Sequence, residues 1–300
     1  MREWAAEVTV DSALARRLIA EQFPEVELRS LELIGEGWDT TVWLVDDEWV
    51  FRFPRRPYPV AGLENEIAYL PLLAPVLPLP IPNPAFAGQP SAAFEWPFYG
   101  CRFLPGRELA DASLDENARN GLARPLAEFL RMLHSLELDV VLPIDPVRRA
   151  DMSFRVPKTR ERLAELAELD LWEAPPIVGE LLEAATGLPD PEPTAIVHGD
   201  LHLRHLLVDD EGRPSAVIDW IDLSRNDPSV DLALYWSSLP AQGRAAFLDG
   251  YGPVSDDQLL RARVLAVFLC GTLAVYGRHE GLPALEREAL ESLDRITRSG

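Results

Sequence analysis

Residues 195–233 read AIVHGDLHLRHLLVDDEGRPSAVIDWIDLSRNDPSVDLA, and this stretch decides how the rest of the chain is understood. It holds three of the five histidines, His198, His202 and His205, among closely spaced aspartates. Two apolar runs, residues 195–198 and 216–219, read as buried strands, each ending in an acid or an acid-bearing loop. Leu206-Leu-Val208 lies between them, followed by the turn signal Asp209-Asp210-Glu211-Gly212. A strand that ends in a carboxylate holds a charge rigidly at the rim of a core.

Upstream, residues 11–23 have the spacing of an amphipathic helix, with Asp11 or Ser12 as cap and Leu14, Leu18 and Ile19 on one face. Residues 31–45 read as strand, glycine turn and strand around Gly35-Glu-Gly37. A third strand, residues 48–54, stops at Pro54. Residues 62–73 suit a short helix, and the proline-dense segment 71–90 reads as an extended connection. Residues 94–104 read as an aromatic strand ending at Pro105-Gly106, which places a hinge near residues 98–106. Beyond it the pattern is helical: a stripe of Leu122, Leu126, Phe129, Leu130 and Leu133, then helices over 158–169, 178–185, 229–238, 241–250, 256–276 and 283–297. The plan is α+β: a small antiparallel-β lobe over residues 1–104 and a larger, mainly helical lobe over 105–300 that holds a short strand pair.

Composition narrows the partners. With 300 residues, 47% hydrophobic and 8% aromatic, the chain supports a sizeable core and is not a disordered protein. Asp and Glu number 49 against 28 Lys and Arg, a net charge of −21, which disfavours a nucleic-acid partner. An acidic field attracts a cationic small molecule, although the same acidity also serves solubility. Cys101 and Cys270 form no CxxC pair and are expected as free, buried thiols in a reducing, cytoplasmic setting. The N-terminal residues lack the pattern of a signal peptide. The longest apolar run, residues 264–276, is too short to cross a bilayer as a helix. A monomer without a membrane partner is the expectation.

Phosphoryl transfer needs a phosphate cradle, a cation, carboxylates for Mg²⁺ and an acid that orients the attacking hydroxyl. Candidates for each occur in that order. Gly35 and Gly37 would let backbone N–H groups approach phosphates, although two glycines in a hairpin equally make a simple turn. Arg52 is the cation candidate, with Glu66 on the following helix as its partner. By alternation alone Arg52 could as well face solvent. The single lysine, Lys158, lies far from that strand in sequence. Asp200 is the candidate to take the hydroxyl proton. Asp219 is a natural Mg²⁺ ligand, and His205 a less natural one, since Mg²⁺ prefers oxygen donors. A transition-metal site of His198, His202, His205 and Asp219 is a rival reading. A Ser-His-Asp hydrolase is disfavoured, because no GxSxG elbow is present.

The combination of His198-Gly-Asp200-Leu-His-Leu-Arg-His205 with Val217-Ile-Asp219-Trp and Asp227-Pro-Ser-Val-Asp231-Leu-Ala resembles the aminoglycoside phosphotransferase family over residues 31–251. The resemblance implies a protein-kinase-like, two-lobed fold and a nucleotide-dependent kinase. Its donor would be ATP or GTP with Mg²⁺, and its acceptor a hydroxyl of an aminoglycoside-like, cationic antibiotic. By resemblance Asp200 is the catalytic acid–base residue and Asp219 and His205 bind metal. Arg52, paired with Glu66, contacts the phosphates, and backbone groups near Arg102 and Phe103 read the purine edge. Asp227 and Asp231 brace the loop and the following helix. Histidine at position 205, where the family usually has asparagine, resembles both the macrolide kinases and the 2″-type aminoglycoside kinases. A macrolide, another metabolite or a purely nucleotide-binding role are the alternatives.

Overall fold

The computed structural model describes residues 7–37 and 39–298. They group into two compact units, one containing residues up to 76, 80–104 and 219–221, the other residues 77–79, 105–218 and those from 222 onward.

The first unit begins with helix α1 (Ser12–Gln22), whose Asp11 side chain caps the N–H of Leu14 at 2.8 Å. Strands β1 (Leu31–Glu36), β2 (Thr40–Val45) and β3 (Trp49–Pro54) follow, then helix α2 (Val60–Leu73) and strands β4 (Pro84–Gly88) and β5 (Phe98–Arg102). All pairings are antiparallel and the order is β1-β2-β3-β5-β4. Alternation along β3 sends its side chains to two different cores. Phe51 and Phe53 join Phe98, Phe94 and the α1 residues Leu18 and Ile19 in one cluster. Val50 belongs to a second cluster with Tyr99, Cys101 and the α2 residues Leu63 and Ile67. Arg52 lies on this second face.

The second unit carries β6 (Arg107–Glu108), α3 (Glu116–Asn120), α4 (Ala123–Ser135), α5 (Met152–Glu168), α6 (Pro176–Ala185), β7 (Ala195–Val197), β8 (Leu206–Val208), β9 (Pro214–Val217), β10 (Ser224–Asn226), α7 (Ala233–Ser238), α8 (Ala241–Tyr251), α9 (Asp256–Glu280) and α10 (Pro283–Thr297). Its strands form a β10-β7 pair and a β6-β8-β9 sheet. Helix α9 starts at a Ser255–Gln258 capping box and ends at Gly281 in the left-handed region. By length and composition α9 could cross a membrane. Within this unit it packs on α5, α6, α7 and α10. Its Arg261 is buried and donates to the carbonyls of Ala150 and Pro189 at 2.8 and 2.9 Å. Arg119 of α3 is buried against Glu288 of α10 at 2.6 Å.

The antiparallel N-terminal sheet and helical C-terminal part match the expected α+β class, with local differences. The segment 71–90 is not extended throughout: α2 runs on to Leu73, and β4 lies within the segment. Strand β4 is an edge, where a proline's missing N–H costs no ladder bond. Its Phe86 packs on the aromatic cluster. Gly35 sits inside β1 next to a bulge, not in the turn, and Trp38 lies outside the described residues. Asp219 does not end a strand: β9 stops at Val217, and Asp219 has φ 65°. The helix expected over 229–238 divides into a short 3-10 turn, Pro228–Val230, and α7. Cys101 and Cys270 are free and buried, and burial pushes both thiols up to about 12.

Removing one partner of a buried ion pair leaves the other uncompensated. Glu288→Ala is therefore expected to cost about 3 kcal/mol or more, and Glu288→Gln clearly less, because an acceptor for Arg119 remains. Thermal and urea unfolding of the two variants checks the ranking.

Candidate functional site

In the first unit the chain builds a cation held by two acids. The Arg52 side chain is only 8% exposed. One terminal nitrogen donates to Glu66 Oε1 at 2.8 Å and to the Tyr99 hydroxyl at 3.3 Å. The other donates to Asp219 Oδ1 at 2.6 Å. Glu66 Oε1 also accepts the backbone N–H of Trp220 at 2.9 Å, so one carboxylate fixes both the arginine and the 219–221 segment. A Cβ on Gly62 would lie 2.2 Å from the carbonyl oxygen of Ile221, so only glycine lets α2 approach that segment so closely. Burial works against the charge on Arg52, but Asp219 and Glu66 hold its pKa well above the ordinary value. Burial pushes the Glu66 carboxyl up to about 7, with Arg52 opposing that rise and Asp219 adding to it. The solvent-facing alternative for Arg52 is thus excluded.

In the second unit the loop between β7 and β8 carries the histidines. Asp231, fully buried, accepts the N–H groups of His198 and Gly199 at 2.8 and 3.0 Å, and His134 Nε2 lies 3.1 Å from it. Gly199 has φ 91°, and a Cβ there would sit 2.2 Å from the Asp222 carbonyl oxygen, so the turn requires glycine. His198 is buried. Its Nδ1 accepts the Asp200 N–H at 3.2 Å, which places its proton on Nε2, 2.9 Å from the Ile218 carbonyl. Burial lowers its pKa, against the pull of Asp231. His198 therefore shapes the loop.

Asp200, His202 and His205 converge: one donor atom from each lies within 4.8 Å of the others. The His202 and His205 rings stack at 3.9 Å, and His202 Nε2 is 3.5 Å from Asp200 Oδ2. His205 Nδ1 donates to the Asp200 carbonyl at 2.8 Å. Burial, and then His205, depress His202 to about 3, so its ring is neutral at physiological pH. Burial opposes the charge on Asp200, yet His202, His205, Arg149 and His198 together hold its carboxyl below the ordinary aspartate value. Arg149 itself is paired with Asp145 at 2.9 Å and Asp222 at 2.7 Å.

The other sequence candidates lie on the first unit's sheet. Gly35, Val42, Arg52 and Tyr99 form one row across four strands, so Gly35 lies in register with the cation. The Gly37 N–H closes the turn onto the Thr40 carbonyl at 3.0 Å, and the Gly37 carbonyl accepts from Arg55 at 2.6 Å. Arg102 covers the Trp49 ring at 3.9 Å and pairs with Glu48. The Phe103 N–H donates to the Glu48 carbonyl at 2.9 Å, so in this conformation it is not open to a base edge. Sequence reasoning missed Tyr99, Arg149, Asp145 and Asp222. The Arg52–Tyr99 register was readable once β3 and β5 were paired. Arg149 and Asp145 lie in an aperiodic loop that carries no such signal.

A family model described as the phosphotransferase enzyme family (APH) matches residues 30–263. The chain belongs to that family. Its fold is protein-kinase-like and is shared with solved structures at low identity. A structure of the GDP and kanamycin complex of APH(2″)-IIIa is 23% identical, with a TM-score of 0.71, covering 95% of this chain and 99% of that one. A macrolide 2′-phosphotransferase type I is 22% identical, with a TM-score of 0.60, covering 96% and 98%. The macrolide 2′-phosphotransferase MphH from Brachybacterium faecium is 23% identical, with a TM-score of 0.53, covering 93% and 98%. The Bacillus subtilis (strain 168) protein YcbJ is 34% identical over 58 residues, and that match spans only 19% of either chain.

The raised Glu66 pKa has a definite sign in stability. A carboxyl raised from 4.5 to about 7 on folding contributes stability that is complete below pH 4.5 and lost as pH rises through about 7. Glu66→Gln keeps the acceptor for Trp220. It should gain on the wild type steadily between pH 5 and pH 8 in paired thermal melts; parallel pH profiles would contradict the assignment.

Proposed function

We propose that the chain transfers the γ-phosphate of ATP or GTP to a hydroxyl of an aminoglycoside-like antibiotic. The observation that carries this is the pair of constellations described above, a cation bound by two carboxylates and an ionised aspartate among histidines, in a member of a phosphotransferase family. Several solved structures of this fold contain GDP, kanamycin or gentamicin, by their own descriptions. The acidic balance of −21 suits a polycationic acceptor.

The geometry supports a role for each residue. The 2.6 Å bond between Arg52 and Asp219 is a resting arrangement of two groups that both have a use in phosphate binding. With nucleotide and metal bound, Arg52 would offer this terminal nitrogen to a phosphate oxygen and Asp219 would serve as a ligand to the metal. Glu66 keeps the other end of the guanidinium in place. The Asp219 side chain, 35% exposed and an oxygen donor, fits Mg²⁺ well; the His205 imidazole fits it less well. Mg²⁺ would neutralise developing charge on the transferred group. Asp200 orients the acceptor hydroxyl and takes its proton. Gly35 and Gly37 border the phosphates, and the purine lies against the chain at Arg102 and Phe103. Residues 1–104, joined by Asp219, thereby serve the nucleotide, and residues 105–300 otherwise serve catalysis and the acceptor, in a cytoplasmic monomer.

The test is a transfer assay with aminoglycosides and macrolides, each with ATP and with GTP. Transfer to an aminoglycoside is expected. Asp200→Asn should lower it by about 10²- to 10⁴-fold while nucleotide affinity stays the same. Transfer to none of these acceptors, or full activity of Asp200→Asn, would overturn the reading.

A further inference from the structure

A buried guanidinium requires a counter-charge. Arg52 has Glu66 and Asp219, Arg119 has Glu288, and Arg261 has Asp227 at 3.9 Å. Arg155, in the first turn of α5, is only 7% exposed and pairs with no carboxylate among the described residues. Its Nε donates to the Arg149 carbonyl at 3.2 Å. That leaves the edge formed by the two terminal nitrogens, which bond no described residue. Phe268 of α9 supports the group from one face, with the guanidinium carbon 4.2 Å from the ring centre. The exposed Phe154 ring stands 5.9 Å away. An aromatic face attracts a cation but supplies no counter-ion. Burial, and then the Arg149 guanidinium, lower Arg155 to about 10, while Asp145 and Asp200 oppose that fall. Arg155 is thus a fixed cation that lacks an anion, within electrostatic reach of Asp200.

We propose that Arg155 anchors a binding site for a carboxylate or phosphate group. Two parallel N–H groups on the free edge of the guanidinium match two oxygens of such a group. The Arg149 carbonyl and the Phe268 face fix that edge before any ligand arrives, so little side-chain freedom is lost on binding. Arg149 offers no rival site, since Asp145 and Asp222 occupy it at 2.9 and 2.7 Å. The Phe154 ring gives the site an apolar wall. The oxyanion comes either as an acid group on the acceptor or as a free small anion. In the first case the acceptor is an amino sugar that also bears an acid. That case rests on the phosphotransfer reading; the site itself does not.

Acetate, D-glucuronate and inorganic phosphate are titrated, at constant ionic strength, into the full chain carrying ¹⁵N-labelled arginine. The Arg155 Nε–H signal, identified by its loss in Arg155→Met, should shift and saturate, while that of the paired Arg119 stays in place. Arg155→Met should abolish binding. Arg155→Lys keeps the charge but loses the fork, and should weaken binding about tenfold. Saturating ligand should raise the melting temperature of the wild type and leave that of Arg155→Met unchanged. Glucuronate bound about tenfold more tightly than acetate assigns the group to a larger hydroxylated molecule; equal affinities assign it to a free anion. Binding of phosphate alone narrows the group to phosphate. No saturable shift with any probe, or binding undiminished in both variants, would overturn the proposal. If Arg155→Met fails to fold, Arg155→Lys, which also lacks the Nε–H signal, supplies the identification and the comparison. If no acceptor is phosphorylated, the titrations still judge the site, and that failure falls on the function alone.

Discussion

The first unit depends on one buried cation. Moving a guanidinium out of water costs several kcal/mol even after the protein relaxes, and it is tolerated only with close, hydrogen-bonded anions. Arg52 meets that demand with Glu66 from α2 and with Asp219, 167 residues further along the chain. The consequence reaches beyond the three residues. Glu66 must enter the face of the sheet, so α2 must lie against β3 and β5, and Gly62 must be bare where α2 meets Ile221. Asp219 must reach the same nitrogen group, and the chain takes a left-handed turn at that residue to do so. Without the arginine, Glu66 and Asp219 would face each other unneutralised, and the segment would lose one of its ties to the sheet.

The second unit solves the reverse problem. Asp231 is an anion with no exposure, and its lone pairs are occupied by two backbone N–H groups and the His134 ring. Charge-assisted bonds of this kind are about twice as strong as neutral ones. They hold the start of the loop that carries Asp200. His198 then passes the constraint on, since its ring joins the Asp200 N–H to the Ile218 carbonyl. Rigidity at Asp200 thus traces back to a residue that takes no part in any reaction.

The sequence made most of this legible, for identifiable reasons. Alternation gave the strands, because β3 has apolar residues on both faces and a single arginine. The α4 stripe and the Asp11 cap gave helices a face and a start. Glu66 was found because a buried cation requires a partner and α2 is the next element along the chain. What stayed hidden was non-local. Strand β10 pairs with β7 through only three residues, too few for a periodic signal. Arg149 reads as one more surface arginine until the fold sets it between Asp145 and Asp222. The inward face of β3 showed that Arg52 is buried only once α2 was placed over it.

Two carboxyls in this protein are driven in opposite directions, and the contrast bears on the role proposed for Asp200. Burial wins at Glu66 and raises it to about 7, whereas at Asp200 the rings of His202 and His205 and the Arg149 guanidinium prevail over burial. A carboxylate held below its ordinary value is a weak base. It would serve poorly if the acceptor hydroxyl had to be deprotonated before attack. In a loose, metaphosphate-like transition state little nucleophilic push is needed, and the proton leaves late. What the reaction then asks of Asp200 is a fixed, ionised acceptor that aims the hydroxyl, and the proton transfer follows once the new oxygen–phosphorus bond has made the hydroxyl acidic. The surroundings of Asp200 suit that role, with a fixed backbone on one side, the stacked imidazoles on another, and a permanent cation close enough to keep the charge.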